Sequence, residues 1–138
     1  MPKRLSIVMA LSAILVLILA QTTSAAISRN TITPEAGISK AGRIISVTGP
    51  IECSDGDALK VRTTVTQAST GAIAEGYARL RCNGELQEWS ARAFNFGLAS
   101  FEPGAAQACA LGITYKSGKV TDIRQWCPAN DITLVAAE

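Results

Sequence analysis

Between Arg43 and Cys82 apolar side chains fall at every second position, and no other feature constrains the fold of this chain so tightly. Ile45, Val47, Gly49, Ile51 and Cys53 alternate with Ser46, Thr48, Pro50 and Glu52. Leu59, Val61, Thr63 and Val65 alternate with Lys60, Arg62, Thr64 and Thr66. Ala74, Gly76, Ala78, Leu80 and Cys82 alternate with Glu75, Tyr77, Arg79 and Arg81. A period of two puts one set on a buried face and the other in water, which is the signature of a half-buried strand. Pro50 lacks a backbone donor, so its position belongs to a sheet edge or a bulge.

Turn residues separate these strands. Ser54-Asp55-Gly56-Asp57-Ala58 is a turn by composition, and Asn83-Gly84 predicts a tight hairpin. With Thr70-Gly71 as a two-residue turn, Val65 faces Gly76, Val61 faces Leu80 and Leu59 faces Cys82, all on one side. On the other side Arg62 then faces Arg79 and Lys60 faces Arg81. A strand from Leu86 to Phe94 buries Trp89, Ala91 and Ala93. Glu102-Pro103-Gly104-Ala105 suits a type II turn. Gln107–Cys127 reads as one more hairpin, turning at Ser117 to Lys119, with Cys109 opposite Cys127, Leu111 opposite Gln125 and Ile113 opposite Ile123. A last strand runs from Asp131 to Val135. Roughly seven short strands at this spacing predict an all-β chain, an antiparallel immunoglobulin-like β-sandwich, with a small closed barrel as the second expectation.

The first 25 residues differ in kind. Lys3 and Arg4 precede an apolar run from Leu5 to Ala20, broken by Ser6 and Ser12, and Thr23-Ser24-Ala25 supplies small residues. This is the layout of a helical secretory signal peptide. The run is shorter than the roughly 20 residues of a bilayer-spanning helix, although an uncleaved anchor is the competing reading. Residues 26–42 carry Pro34 and Gly37 and no sustained period, so they read as a linker or a loosely attached N-terminal strand. Residues 43–138 are the domain.

Of the 13 Lys and Arg residues, two lie in the signal segment, so the remainder balance the 11 Asp and Glu residues. The exported part is near neutral. Nucleic acid is not an expected partner, and membrane contact is expected only through the signal peptide during export. Cys53, Cys82, Cys109 and Cys127 all follow residue 25, and an even count in an exported chain reads as two disulfides. Zinc is the rival, but the spacings are wide and the chain has no His. The hairpin register pairs Cys109 with Cys127, which leaves Cys53 with Cys82. The pairs act as staples. A redox role would favour closely spaced cysteines, and no C-x-x-C occurs. The expected location is extracellular, envelope-associated or periplasmic.

Without His, the Ser-His and Cys-His nucleophilic schemes are absent. Glu52, Glu85 and Glu88 read as solvated strand and turn positions rather than a catalytic pair. Asp55-Gly56-Asp57 is only a fragment of a calcium loop and reads as a turn. The chain is expected to be no enzyme and to hold no metal or cofactor. Its most informative surface is the outer side of the 59–82 hairpin, where Lys60, Arg62, Arg79 and Arg81 cluster beside Tyr77. Like charges directly opposite are destabilising. Either Glu52 and Glu88 neutralise them from other strands, or an anionic polymer, an acidic glycan or an acidic protein surface does. Trp89 reads as a core residue. Trp126 has the opposite parity to Cys127, which turns it outward as a ligand platform or inward under the last strand. Lys116 and Lys119 flank an exposed tip.

The runs GPIECSDGDALKVRTTVTQ, ARLRCNGELQEW and FEPGAAQACA resemble those of a group of small exported bacterial all-β proteins of uncharacterised function. The resemblance covers residues 43–115. It implies the fold and carries no catalytic residues. The expected function is a secreted, non-catalytic binding or interaction module. A structural envelope protein without a discrete ligand site is one alternative. The other is an extracellular protease inhibitor presenting the 115–119 loop.

Overall fold

Seven strands form where the alternation placed them and two where it did not, nine among the described residues. The structure is a computed structural model and describes residues 25–39 and 41–137. The signal-peptide reading of residues 1–25 therefore lies, apart from Ala25, outside the described residues. The strands are β1 (Ile27–Asn30), β2 (Glu35–Ile38), β3 (Ile44–Cys53), β4 (Ala58–Gln67), β5 (Ala72–Arg81), β6 (Leu86–Asn95), β7 (Gly104–Lys116), β8 (Lys119–Trp126) and β9 (Ile132–Ala136), with no helix among the described residues.

The strands run in the order β1-β3-β2-β9-β7-β4-β5-β6, with β8 on β7. A further ladder from Ile44↔Phe94 to Glu52↔Leu86 joins β6 back to β3. β3, β2, β9, β7, β4, β5 and β6 thus close into one hydrogen-bonded circuit, which removes most of the open edges that invite aggregation. Every ladder is antiparallel except β2–β9, which is parallel. The inward positions form one core. Much of its wall is small, with Ala74, Ala91, Ala93, Ala106, Ala108 and Ala110 all buried, and Trp89 fills the space they leave. Large against small is how a narrow closed sheet packs its interior.

The segment 26–42 is not a linker, and the alternative of an attached N-terminal strand holds twice over, with close rather than loose attachment. Ile27, Ile32, Ala36 and Ile38 are buried in the core, and β1 and β2 both pair with β3. They were illegible because each is too short to show a period. Together they raise the strand count from seven to nine, with β8 and β9 as expected. Pro50 sits where β3 changes neighbour from β1 to β2, and its carbonyl accepts the Thr31 N–H at 3.2 Å. The missing donor falls at that break in the ladder. Next to it, a Cβ on Gly49 would lie 2.0 Å from the Thr31 carbonyl oxygen, so only glycine lets the chain pass there.

Three turns depart from expectation. The β4–β5 link is not the two-residue Thr70-Gly71 turn. It is a four-residue loop, 68–71, in which the Thr70 and Gly71 amides both donate to the Gln67 carbonyl. The register therefore slips by two, and Leu59 faces Leu80, Val61 faces Ala78 and Val65 faces Ala74. An even slip keeps every side chain on its expected face. The fully buried Gln67 holds the loop in place. Its amide accepts from the Glu102 N–H at 2.9 Å and donates to the Glu102 carbonyl at 2.8 Å. At Asn83-Gly84 the strands diverge rather than closing a tight hairpin, and β5 pairs with β6 only at the far end, Ala74↔Asn95 and Glu75↔Phe94. The Gln87 side chain bridges the gap, accepting from the Asn83 N–H and donating to the Arg81 carbonyl, both at 3.0 Å. The β7–β8 hairpin holds the expected Leu111↔Gln125 and Ile113↔Ile123 pairs. A register shift after Thr114 then brings Lys116 opposite Lys119, and the turn shortens to Ser117-Gly118. Both turn residues have positive φ, 51° and 75°, as a twist-matched two-residue turn requires.

Both expected disulfides are present, Cys53–Cys82 and Cys109–Cys127. Two staples in one small domain are compatible with an extracellular or periplasmic location.

Candidate functional site

β4 and β5 expose the alternate set of their residues, so one outer face carries Lys60, Arg62, Glu75, Tyr77, Arg79 and Arg81. The register corrects who faces whom. Lys60 is opposite Arg79, and Arg62 is opposite Tyr77 rather than Arg79. Only one like-charge pair remains where two were expected.

Neutralisation also comes from another residue. Glu52 reaches only Arg29, at 4.0 Å, and Glu88 forms no ion pair among the described residues. Glu75 does the work instead. Its carboxylate accepts from Arg62 Nη2 at 2.8 Å and from the Tyr77 hydroxyl at 2.6 Å. The slip of two residues is what carries Glu75 within reach of Arg62. The Lys60 ammonium lies 4.9 Å from the centre of the Tyr77 ring, a cation–π contact that holds the lysine on this face.

The Tyr77 hydroxyl, and after it the Arg62 hydrogen bond, hold the Glu75 carboxyl below the usual glutamate range. The same hydrogen bond pushes the Tyr77 phenol upward. A carboxyl with a depressed folded pKa stabilises the fold above its unfolded pKa of about 4.3, and that contribution fades as the pH falls through the folded value. We expect the Glu75 side-chain carbon, followed by NMR, to titrate below an ordinary glutamate. In Tyr77→Phe it should move back up. An unchanged midpoint in Tyr77→Phe would remove the hydroxyl as the cause.

Beside this neutralised cluster lies an open groove of about 490 Å³, lined by Ala58, Lys60, Arg79, Leu80, Arg81 and Tyr115. Lys60, Arg79 and Arg81 form no ion pair among the described residues. Arg81 Nη1 donates to the Gly56 carbonyl at 3.2 Å, which fixes its position and leaves its charge unbalanced. Tyr115 comes from β7, whose Tyr115↔Ala58 pair brings it alongside β4. Sequence reading placed Tyr115 only in the tip. Its parity with Leu111 and Ile113 pointed inward instead, and only the burial of Ala108, Ala110 and Thr114 on the other face turns it outward. The groove therefore combines three cations, a phenol and a short apolar floor, an arrangement that can hold anionic groups by charge-assisted hydrogen bonds.

The other candidates lie elsewhere. Trp126 is no exposed platform. It packs edge-on against Trp89, with ring centres 6.4 Å apart, and its ring occupies the space where a Cβ on Gly112 would lie. Of the outward and inward readings, the inward one holds, with Trp126 against Trp89. Here β7 buries Ala108 and Ala110, so Cys109 and Cys127 meet on the outer surface and Trp126, opposite Ala110, turns in. Lys116 and Lys119 are exposed at their turn, apart from the groove lining. At Asp55-Gly56-Asp57, Gly56 takes φ 84°, and the buried Asp57 carboxylate accepts the Thr121 hydroxyl at 2.7 Å, as a turn anchored to β8. Comparison with protein-family models and with curated proteins finds no match.

Proposed function

We propose that this chain is an exported, non-catalytic binding module that takes an anionic ligand in the groove between Lys60, Arg79, Arg81 and Tyr115. The observation that carries the reading is the contrast within one face. Arg62 is neutralised by Glu75, whereas three neighbouring cations converge on an open groove without a carboxylate partner among the described residues. Clustered, unbalanced cations raise the local concentration of anions and bind them in a salt-dependent way. The ligand class is an anionic polymer, an acidic glycan or an acidic protein surface.

We read the fold as immunoglobulin-like, and the resemblance to small exported bacterial proteins is part of the same reading. In support, β1–β3–β6 follow the A–B–E pairing of such a sandwich, and β4–β7–β9 follow its C–F–G pairing. The inhibitor alternative has less behind it. A protease takes an extended loop, and here Lys116 and Lys119 are paired across a two-residue turn.

The test is capture of the disulfide-bonded protein on an immobilised polyanion. Wild type is expected to bind and to elute with moderate salt. Arg79→Glu with Arg81→Glu is expected to lose at least about tenfold in affinity, since each reversal removes a charge-assisted contact and adds a repulsion. Equal capture of both proteins would rule out the groove. No capture of either would favour the structural reading.

A further inference from the structure

At the other end of β5 from Arg81 lies an apolar surface that the groove does not account for. Phe94 is 55 % exposed, Phe96 67 %, Ile73 40 %, and Leu98 is fully exposed. They are neighbours. The Phe96 amide donates to the Ile73 carbonyl at 3.2 Å, and Phe94 pairs with Glu75 on β5. The loop that displays Phe96 and Leu98 is held rather than loose. The Asn95 side chain donates to the Ala99 carbonyl and accepts from the Gly97 N–H, Arg43 Nη1 donates to the Gly97 carbonyl at 3.3 Å, and the buried Phe101 anchors the loop's end to Gly42. Large apolar side chains fixed in water by their own loop mark a docking surface.

Two positive charges lie beside it, with Glu102 further along the same connection and Asp131 on the far side of Ile73. Arg92 stacks over the Phe94 ring at 5.7 Å, and Arg43 braces the loop. Glu75, the acid next to Phe94, is already taken by Arg62 and Tyr77.

We infer that this loop docks the exported domain on an anionic lipid surface, with Phe96 and Leu98 entering the interface and Arg43 and Arg92 meeting the headgroups. Charge argues against a second copy of the chain, because a two-fold contact over this patch would gather Arg43 and Arg92 of both copies into one interface. Size agrees. Four protruding side chains fall far short of the roughly 20 to 30 residues per side of a stable protein interface, yet they match the few apolar contacts plus basic residues by which proteins lie on membranes. Net charge near zero hid this patch, since opposite charges elsewhere cancel it in the sum.

The test is co-sedimentation of the disulfide-bonded protein, recovered after export, with vesicles of equal parts phosphatidylglycerol and phosphatidylcholine, against phosphatidylcholine alone. Wild type is expected to pellet with the anionic vesicles only. Phe96→Ser with Leu98→Ser is expected to lose at least about tenfold, as is Arg92→Glu, while Arg79→Glu with Arg81→Glu keeps binding. Leu98→Ser alone, at a fully exposed site, guards against a folding defect and is expected to melt like wild type with weakened binding. Three results overturn the inference. One is no binding by wild type. Another is binding lost only in the Arg79, Arg81 variant. The third is a concentration-dependent dimer, seen by light scattering, that Phe96→Ser with Leu98→Ser abolishes.

Discussion

Replacing Cys53 and Cys82 together by alanine is expected to lower the stability of this protein by about 3–5 kcal/mol. The bond spans 29 residues, so its loss returns a large conformational freedom to the unfolded chain. Both cysteines are also buried, so truncation leaves unfilled space. Its position adds to the effect. Cys53 ends β3 and Cys82 follows β5, at the end where β5 and β6 have parted and share no ladder. Against a typical total of about 5–15 kcal/mol, the variant should be marginal. Cys109–Cys127 spans 18 residues and lies on the outer surface. A mild reductant should therefore open it first, with Cys53–Cys82 yielding only on unfolding. Urea denaturation measures the first effect, and alkylation of the native protein followed by mass spectrometry measures the second. Alkylation of Cys53 and Cys82 ahead of the outer pair would contradict the assigned burial.

Trp89→Ala should be as damaging, at about 3–5 kcal/mol. Trp89 is the largest fully buried side chain. It packs among buried alanines and edge-on against Trp126, whose ring also fills the space over Gly112, so the hole is not readily filled. Trp89→Phe should cost much less, about 1–2 kcal/mol. The Trp89 indole N–H is buried without a hydrogen-bond partner among the described residues, so its removal loses volume but no bond. Thermal or urea unfolding of both variants separates these contributions. Equal losses would mean that the indole nitrogen, rather than the ring volume, holds the site together.

The two results would also test what the alternation of the sequence could and could not convey. Period two identified β3 to β6 and the inward Trp89, because one buried face imposes it on every residue. The β4–β5 register was wrong by two residues and still put Lys60, Arg62, Tyr77, Arg79 and Arg81 outward, since only an odd slip changes face. The slip hid what chemistry depends on most, the partner of each charge. Glu75 became visible as Arg62's partner only once loop 68–71 was known. Three features had no local signal. β1 and β2 are too short for a period, the β3–β6 closure joins strands distant in sequence, and Gln87 replaces a ladder with a side chain. Trp126 stayed open for a different reason. Its parity relative to Cys127 was legible, but the face that Cys127 occupies was not.

We propose that Lys60, Arg79, Arg81 and Tyr115 form one anion-binding groove. Titration of the isotope-labelled, disulfide-bonded protein with a soluble polyanion, followed by amide and side-chain NMR shifts, tests it most directly. The largest saturable shifts are expected at these four residues and at Ala58 and Leu80, reversed by added salt. Saturable shifts centred elsewhere, or none at low salt, would contradict it.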